Sequence, residues 1–255
     1  MDNKSSSPKK SDRRKYLIQG INLDINVNTK VFQPPIENSI SSKYINIEKG
    51  EKVIDIGTGC GILAILASKM GGKVYATDID RNSIKLAEEN AKLNKVDINF
   101  SIGGLFSSFE EKFDVIISNI SQTILSPLSK NEMGELAVSV DGGKNGNKWI
   151  LKLLRKARKY MDSGSRMYVN IYTISDYKKT IKIMRRLYNI KLLAKQSEPV
   201  KDFVKKSIKW YLPLSNSKKI KMIYDNKKKK WFAEQLFYEL TKKQPTSQHS
   251  SKTKE

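Results

Sequence analysis

The sequence predicts an α/β fold in which helices cover both faces of a mostly parallel sheet. Two observations indicate this fold: short apolar segments alternate with helical ones, and one apolar segment leads through three alternate glycines into a helix. Such alternation is typical of βαβ units, because parallel strands need a crossover helix to connect them. At 255 residues, of which 38% are hydrophobic, the chain can bury one large core.

Seven short apolar segments have the length and composition of strands. They are residues 52–56, 73–77, 98–102, 113–118, 166–172, 190–195 and 207–212. Between them apolar residues recur with the helical period, as at Ile84, Ala87 and Ala91. We therefore expect a Rossmann-like sheet of seven strands.

Composition divides the chain into five parts. They are a disordered basic tail at 1–15, a hairpin with an extended segment at 16–45, the sheet domain at 46–213, a basic and aromatic extension at 214–242, and a disordered tail at 243–255. Both tails are polar and lack apolar periodicity. A near period-two alternation predicts the hairpin, and the Pro34-Pro35 pair predicts the extended path that follows it.

The charge balance points to an acidic partner. The chain has 48 Lys and Arg against 26 Asp and Glu, a formal net charge of +22, which favours contact with nucleic acid or the ribosome. A general preference for lysine that aids solubility is the alternative. One cysteine, Cys60, and one histidine, His249, give neither an internal disulfide nor a zinc cluster, so we expect no metal. Because no apolar run reaches about 18 residues, we expect no membrane span and a cytoplasmic protein.

The glycine loop is the most informative motif. Asp55 ends an apolar segment and is followed by Gly57, Gly59 and Gly61. Glycines allow positive φ angles and let the backbone approach a ligand at the carboxyl end of a strand. A dinucleotide site would need its third glycine one place later, where Ile62 stands. The loop therefore indicates another kind of nucleoside ligand.

Two acidic residues define that ligand further. Asp55 would repel a pyrophosphate but would attract a cation, such as the ammonium and sulfonium groups of adenosylmethionine. Asp78 ends the second predicted strand, where a carboxylate can accept hydrogen bonds from both ribose hydroxyls. Both carboxylates would flank one glycine loop.

With these motifs the chain, over roughly residues 31–212, resembles the class I S-adenosylmethionine-dependent methyltransferases. The resemblance implies S-adenosylmethionine as the cofactor, with Asp78 on its ribose. It places these residues around the methionine part: Asp55, Gly57, Thr58, Gly59 and Gly61. Ile79 and Leu105 would contact adenine, and Gly104 stands where many members have an Asp, so backbone groups would replace that carboxylate. A Rossmann domain that binds no cofactor, or a nucleotide-sugar fold, is the alternative.

The loop after the fourth strand of the family pattern is where members place their acceptor motif. Amino-methylating members have Asn-Pro-Pro-Tyr there, and this chain has Asn119-Ile120-Ser121-Gln122. The resemblance implies that Asn119 is the catalytic candidate, which aligns an acceptor nitrogen with the sulfonium methyl by positioning. Ile120 would contact the substrate. A loop that begins Asn-Ile is also similar to that of the ribosomal protein lysine methyltransferases.

Two further segments are similar to the release-factor glutamine methyltransferases. The Val-Phe-x-Pro pattern at residues 31–34 is shared with them and with the small-domain RNA methyltransferases, and makes Phe32 and Pro34 candidate substrate contacts. The glycine-rich stretch 141–146 precedes a helix in a similar way, although a flexible turn that caps the helix explains it equally.

The C-terminal extension alternates lysines with aromatic residues, as in 227–230 followed by Trp231 and Phe232. Such interleaving is typical of RNA-binding surfaces, and a lysine-protected edge hairpin is the alternative. The favoured hypothesis is a methyltransferase that acts on a macromolecule, a protein side chain or RNA of the translation apparatus. A small-molecule methyltransferase and a noncatalytic RNA-binding protein on a degenerate methyltransferase fold stay open.

Overall fold

The computed structural model of the protein describes residues 12–28, 31 and 40–243. Its strands are β1 (Asp12–Ile18), β2 (Ile21–Val27), β3 (Lys52–Ile56), β4 (Lys73–Asp78), β5 (Ile98–Ile102), β6 (Val115–Ser118), β7 (Arg166–Tyr172), β8 (Tyr188–Pro199), β9 (Met222–Asp225) and β10 (Lys230–Lys242). Its α-helices are α1 (Ile40–Tyr44), α2 (Ile62–Lys69), α3 (Arg81–Leu93), α4 (Pro127–Met133), α5 (Lys148–Lys156), α6 (Tyr177–Leu187), α7 (Asp202–Lys206) and α8 (Ile208–Asn216). Short 3-10 helices follow α4 and α5 at Gly134–Ser139 and Ala157–Tyr160.

The main sheet has the strand order β5-β4-β3-β6-β7-β10-β8. Strand β9 pairs with the first residues of β10, which precede those that pair with β7. The five strands from β5 to β7 are parallel, whereas β10 runs antiparallel to β7, β8 and β9. The predicted α/β class and the mostly parallel sheet are confirmed. The order reverses between β3 and β6, which opens a crevice at the carboxyl ends of these two strands.

One predicted strand was wrong. Residues 207–212 lie largely in helix α8, where Tyr211 is buried in an apolar cluster with Val204 of α7 and Ile208 packs against it. A short apolar run does not by itself distinguish a helix from a strand.

The missing strand is β10, which lies in the predicted C-terminal extension. It is buried on both faces, with Phe237 and Leu240 fully covered, as expected for a strand between two neighbours. The domain boundary at residue 213 was therefore wrong: the sheet continues to Lys242.

The predicted N-terminal hairpin is present as β1 and β2, and it begins earlier than residue 16, with Asp12 paired to Val27. Residues 12–15 therefore belong to the hairpin and not to a tail. Two asparagines of α3 fix the hairpin: Asn90 Oδ1 accepts from Asn26 N at 2.7 Å, and Asn94 Nδ2 donates to the carbonyl oxygen of Asp24 at 2.6 Å. Asn90 Nδ2 also donates to the carbonyl oxygen of Cys60 at 2.9 Å, so the same side chain holds the glycine loop.

Apolar side chains fill both sides of the sheet. One cluster joins the sheet to α2 and the hairpin, and includes Val53, Ile65 and Phe237. The other joins it to α5 and α6, and includes Ile54 and Met184. Among the described residues, no helix is long and apolar enough to cross a membrane.

We expect Phe237→Ala to lower the free energy of unfolding by about 3–5 kcal/mol, because it removes a fully buried ring from the centre of the sheet. This ring stacks on Tyr168 with 5.8 Å between centroids. The matched control is Ile223→Ala in β9, where the side chain is 47% exposed and the loss should stay within about 0.5 kcal/mol. Urea unfolding followed by circular dichroism measures both, and equal losses would contradict the central position of β10.

Candidate functional site

A cavity of about 860 Å³ opens at the carboxyl ends of the parallel strands. Its lining includes the glycine loop after β3, the turn after β4, the loops after β5 and β6, the ends of β7 and β8, and the start of β10. Helices α5 and α7 and the 3-10 helix after α4 also contribute to it. This is the position at which open α/β sheets bind their ligands. Among the described residues, no group of three or more His, Cys, Asp or Glu could hold a metal ion.

The glycine loop turns sharply behind β3. Gly57, Gly59 and Gly61 have φ angles of +73°, +55° and +84°. The three glycines differ in how much space a side chain would have. A Cβ at Gly57 would lie 2.7 Å from Ile120 Cγ2, and one at Gly61 would lie 2.9 Å from Ala87 Cβ, whereas a Cβ at Gly59 would meet nothing within 4 Å. Two glycines therefore allow close packing of the loop, and the third lies against open space.

Asp55 lies at the carboxyl end of β3 and is only 1% exposed. Burial raises the pKa of this carboxyl group to about 7, although a hydrogen bond from Thr58 Oγ1 at 2.8 Å opposes the shift and the nearby charge of Asp78 adds to it. A cation in the cavity would stabilise the ionised form.

Asp78 ends β4 and is held by backbone amides. Its Oδ2 accepts from Gly59 N and its Oδ1 from Asp80 N, both at 3.0 Å. Burial raises the pKa of its carboxyl group above the usual range, with these two hydrogen bonds opposing. The carboxylate keeps at least one lone pair for a ligand.

The residues predicted for adenine lie beside Asp78. Ile79 is 55% exposed on the cavity lining, and a Cβ at Gly104 would lie 3.6 Å from Ile79 Cγ2. Leu105 is buried and lines the same part, with a φ angle of +59°. The loop after β5, which contains Gly104 and Leu105, is anchored to β4 by Thr77 Oγ1, which donates to the carbonyl oxygen of Gly103 at 2.9 Å.

Asn119 and Ile120 follow β6 and line the same cavity. Asn119 Oδ1 accepts a hydrogen bond from the hydroxyl of Tyr172 at 2.8 Å. Ile120 packs over Gly57 and joins the apolar cluster on the α5 side of the sheet. The predicted site residues that the structure describes all line this cavity except Gly61, which packs against Ala87. Phe32 and Pro34 lie outside the described residues.

Three further residues of the cavity lining were not predicted from the sequence. Tyr172, Glu198 and Gln235 come from the ends of β7, β8 and β10 and line the cavity. Burial raises the pKa of the Glu198 carboxyl group, while the charge of Lys201 opposes the shift. In the sequence, Gln235 stands out only as a polar residue within an apolar segment, and the pattern of that segment does not predict a strand.

Known methyltransferases are similar in sequence to the part of the chain that contains the glycine loop. Residues 38–143 match the sequence model of the family described as ribosomal protein L11 methyltransferase (PrmA). This part of the chain is therefore similar in sequence to methyltransferases of the PrmA type. Over 191 residues it is 29% identical to a protein of Methanocaldococcus jannaschii with the provisional name protein N5-glutamine methyltransferase, covering 73% of this chain and 94% of that one. The methyltransferase assignment made from the glycine loop is confirmed.

The ribosomal protein L11 methyltransferases match over a shorter region. The enzyme of Dictyoglomus thermophilum is 38% identical over 110 residues, which cover 42% of this chain and 36% of that enzyme. This chain therefore spans about a third of the length of that relative.

Solved structures share the fold of the methyltransferase domain. A methyltransferase from Pyrococcus furiosus superposes with a TM-score of 0.51 at 23% identity, covering 85% of this chain and 88% of that one. A 16S rRNA N2 G1207 methyltransferase of T. thermophilus, in complex with AdoMet and guanosine, gives a TM-score of 0.55 at 13% identity, covering 95% of this chain and 53% of that one. S-adenosylmethionine, the predicted cofactor, is the methyl donor of this class of enzyme.

We expect Asp55→Asn to stabilise the protein at alkaline pH. The pKa of Asp55 rises from 3.8 to about 7 on folding, so the native state loses stability as the pH rises between these values. An asparagine avoids that loss, and the variant should be more stable than the wild type at pH 8 by about 1–4 kcal/mol, with little difference below pH 4. Urea unfolding at several pH values measures the difference, and parallel profiles would show that Asp55 titrates in its ordinary range.

Proposed function

We propose that this protein transfers the methyl group of S-adenosylmethionine to a macromolecule of the translation apparatus, either a protein side chain or RNA. The observation that supports it best is that two carboxylates, a glycine loop and Asn119 line one cavity. On this proposal the carboxylates and the glycine loop form the cofactor end of the cavity, and Asn119 forms the acceptor end. A methyl donor at the first end and an acceptor at the second would share one enclosure.

The cofactor end fits S-adenosylmethionine by its donor set. When bound, this cofactor supplies an electrophilic methyl group on a positively charged sulfur. Asp55 would complement the positive charges of its methionine part, and the open space at Gly59 leaves room for the ligand beside the backbone. Asp78 would accept from the ribose hydroxyls, with Ile79 and Leu105 against adenine.

The acceptor end works by positioning. Asn119 keeps a lone pair on Oδ1 besides the one that accepts from Tyr172, and this lone pair would accept a hydrogen bond from the acceptor nitrogen. Holding that nitrogen in line with the methyl group replaces a bimolecular encounter with a fixed geometry. Ile120 would restrict the directions from which the acceptor can approach on the side of the glycine loop.

Charge around the cavity supports a macromolecular substrate. Trp149 and Lys152 line the cavity, and the Nζ atoms of Lys148 and Lys152 lie 4.5 Å and 5.6 Å from the centroid of Trp149. An aromatic face flanked by cations suits RNA or an acidic protein region. The relative that matches over most of its length is named for a protein glutamine side chain. On this proposal the protein works in the cytoplasm, where translation takes place.

The β9–β10 hairpin is a second candidate contact for the ribosome or RNA. The rings of Tyr224 and Trp231 lie 5.1 Å apart, and Lys228 Nζ lies 5.2 Å from the centroid of Phe232. Tyr224 of β9 is 43% exposed, so part of this aromatic and lysine-rich hairpin is accessible to a partner, while β10 also completes the sheet.

We expect the wild-type protein to bind S-adenosylmethionine and Asp78→Asn to bind it about ten- to a hundredfold more weakly, because a charge-assisted hydrogen bond to ribose is lost. The control is Asp114→Asn, whose carboxylate accepts from Lys52 N at the opposite end of β3. Its affinity should equal that of the wild type. Isothermal titration calorimetry measures all three; no heat from wild type at millimolar ligand would refute the cofactor assignment.

The acceptor is tested by transfer of a radiolabelled methyl group into a lysate of cells that lack the protein. We expect label in the macromolecular fraction, and none with Asn119→Ala, because that variant removes the proposed contact to the acceptor. Label that survives RNase and is lost with protease identifies a protein substrate, and the reverse identifies RNA. Label only in molecules that pass a small-pore filter would overturn the macromolecular substrate in favour of a metabolite.

A further inference from the structure

A chain of hydrogen bonds connects the acceptor end of the cavity to the centre of the sheet. Gln235 Nε2 donates to Asn170 Oδ1 at 2.6 Å and to the hydroxyl oxygen of Tyr172 at 3.1 Å. The Tyr172 hydroxyl donates in turn to Asn119 Oδ1 at 2.8 Å. Asn170 and Gln235 are buried, so the chain begins in the protein interior and ends at the cavity.

With Gln235 Nε2 facing Asn170 Oδ1 and the Tyr172 hydroxyl, the number of protons sets the direction of this chain. Gln235 Nε2 has two protons, and its two contacts use both of them. Since the oxygen of Tyr172 accepts one of these, its single proton is free to go only to Asn119. The side-chain amide of Asn119 is therefore held with its oxygen toward Tyr172.

Tyr172 stays a donor at every pH at which the protein would work. Burial raises the pKa of its hydroxyl well above the ordinary value, the negative charge of Glu198 raises it further, and the hydrogen bond to Asn119 opposes both. A phenolate, which could only accept, does not form under such conditions.

The sheet places these residues in register. Gln235 lies directly opposite Tyr172 in the antiparallel pair of β10 and β7, and residues opposite each other project from the same face. Asn119 follows β6, the parallel neighbour of β7 on its other side. The chain thus takes Gln235 from β10, Asn170 and Tyr172 from β7, and Asn119 from the residue that follows β6.

We propose that Tyr172 and Gln235 are positioning residues that fix the orientation of the Asn119 amide toward the methyl acceptor. The proposal rests on the proposed function, because it assumes that Asn119 contacts the acceptor. It assigns the β10 segment, which the family match at residues 38–143 does not include, a part in the geometry of methyl transfer.

Two variants break the chain in different ways. Tyr172→Phe removes the hydroxyl. Gln235→Glu keeps the size but reverses the direction, because a carboxylate accepts the Tyr172 proton and leaves Asn119 without its donor. Asn170 can accommodate the change by rotating its amide, since its Nδ2 has no acceptor among the described residues. Tyr168→Phe is the matched control: it removes a hydroxyl from the same strand, where the oxygen accepts from Arg166 Nε at 3.0 Å.

Rates of label transfer into the lysate are measured at saturating S-adenosylmethionine over a dilution series of the acceptor fraction. We expect Tyr172→Phe and Gln235→Glu each to lower kcat about tenfold, as for the loss of one orienting hydrogen bond. The apparent KM for the acceptor and the calorimetric affinity for S-adenosylmethionine should change less than about twofold, and Tyr168→Phe should match the wild type. Wild-type kcat in both chain variants would overturn the proposal, as would a loss of cofactor affinity equal to the loss of rate.

A nuclear magnetic resonance measurement separates this inference from the function on which it rests. The side-chain amide signals of Asn119, assigned by their absence in Asn119→Ala, should move in Tyr172→Phe and Gln235→Glu and stay in Tyr168→Phe. If the wild type transfers no label, the proposed function fails, and unmoved amide signals then refute the hydrogen-bond chain as well. If Tyr172→Phe does not fold, Gln235→Glu decides by the same readouts.

Discussion

The whole cavity depends on the close approach of Ile120 to the backbone of Gly57. With no Cβ at Gly57, the loop after β6 lies directly against the loop after β3, at a spacing that a single methyl group would prevent. Gly57 N also donates to the carbonyl oxygen of Thr77 at 2.8 Å, which fixes the same loop to β4. This contact therefore holds the loop that begins with Asn119 against the loop that follows Asp55.

The net charge of the whole chain and the local charge at the cofactor end of the cavity have opposite signs. The chain as a whole has a net charge of +22, which attracts polyanions, whereas the cofactor end of the cavity holds two carboxylates and would attract a cation. The two fields are compatible because salt screens exposed charges beyond about 8 Å, while Asp55 is buried and screened less. A cationic cofactor and an anionic partner can thus use one molecule without competing for one surface.

Local motifs could be predicted from the sequence, and contacts between distant strands could not. The glycine loop, Asp55 and Asp78 lie within one βαβ unit, where spacing along the chain decides the geometry. Tyr172 and Gln235 are 63 residues apart, and nothing in either segment indicates that they pair. Strand β10 was missed because its lysines and aromatic residues resemble an exposed surface, and helix α8 was mistaken for a strand because its apolar run is short.

The position of β10 in the sheet has a consequence for the order in which the cavity forms. This strand follows every other strand of the main sheet along the chain, yet it is inserted between β7 and β8. During synthesis, the residues that hold the methyl donor are therefore made well before the strand that completes the wall facing the methyl acceptor. A nascent chain or one cut before Lys230 has the cofactor loop in its sequence but lacks Gln235, so the two ends of the cavity mature at different times.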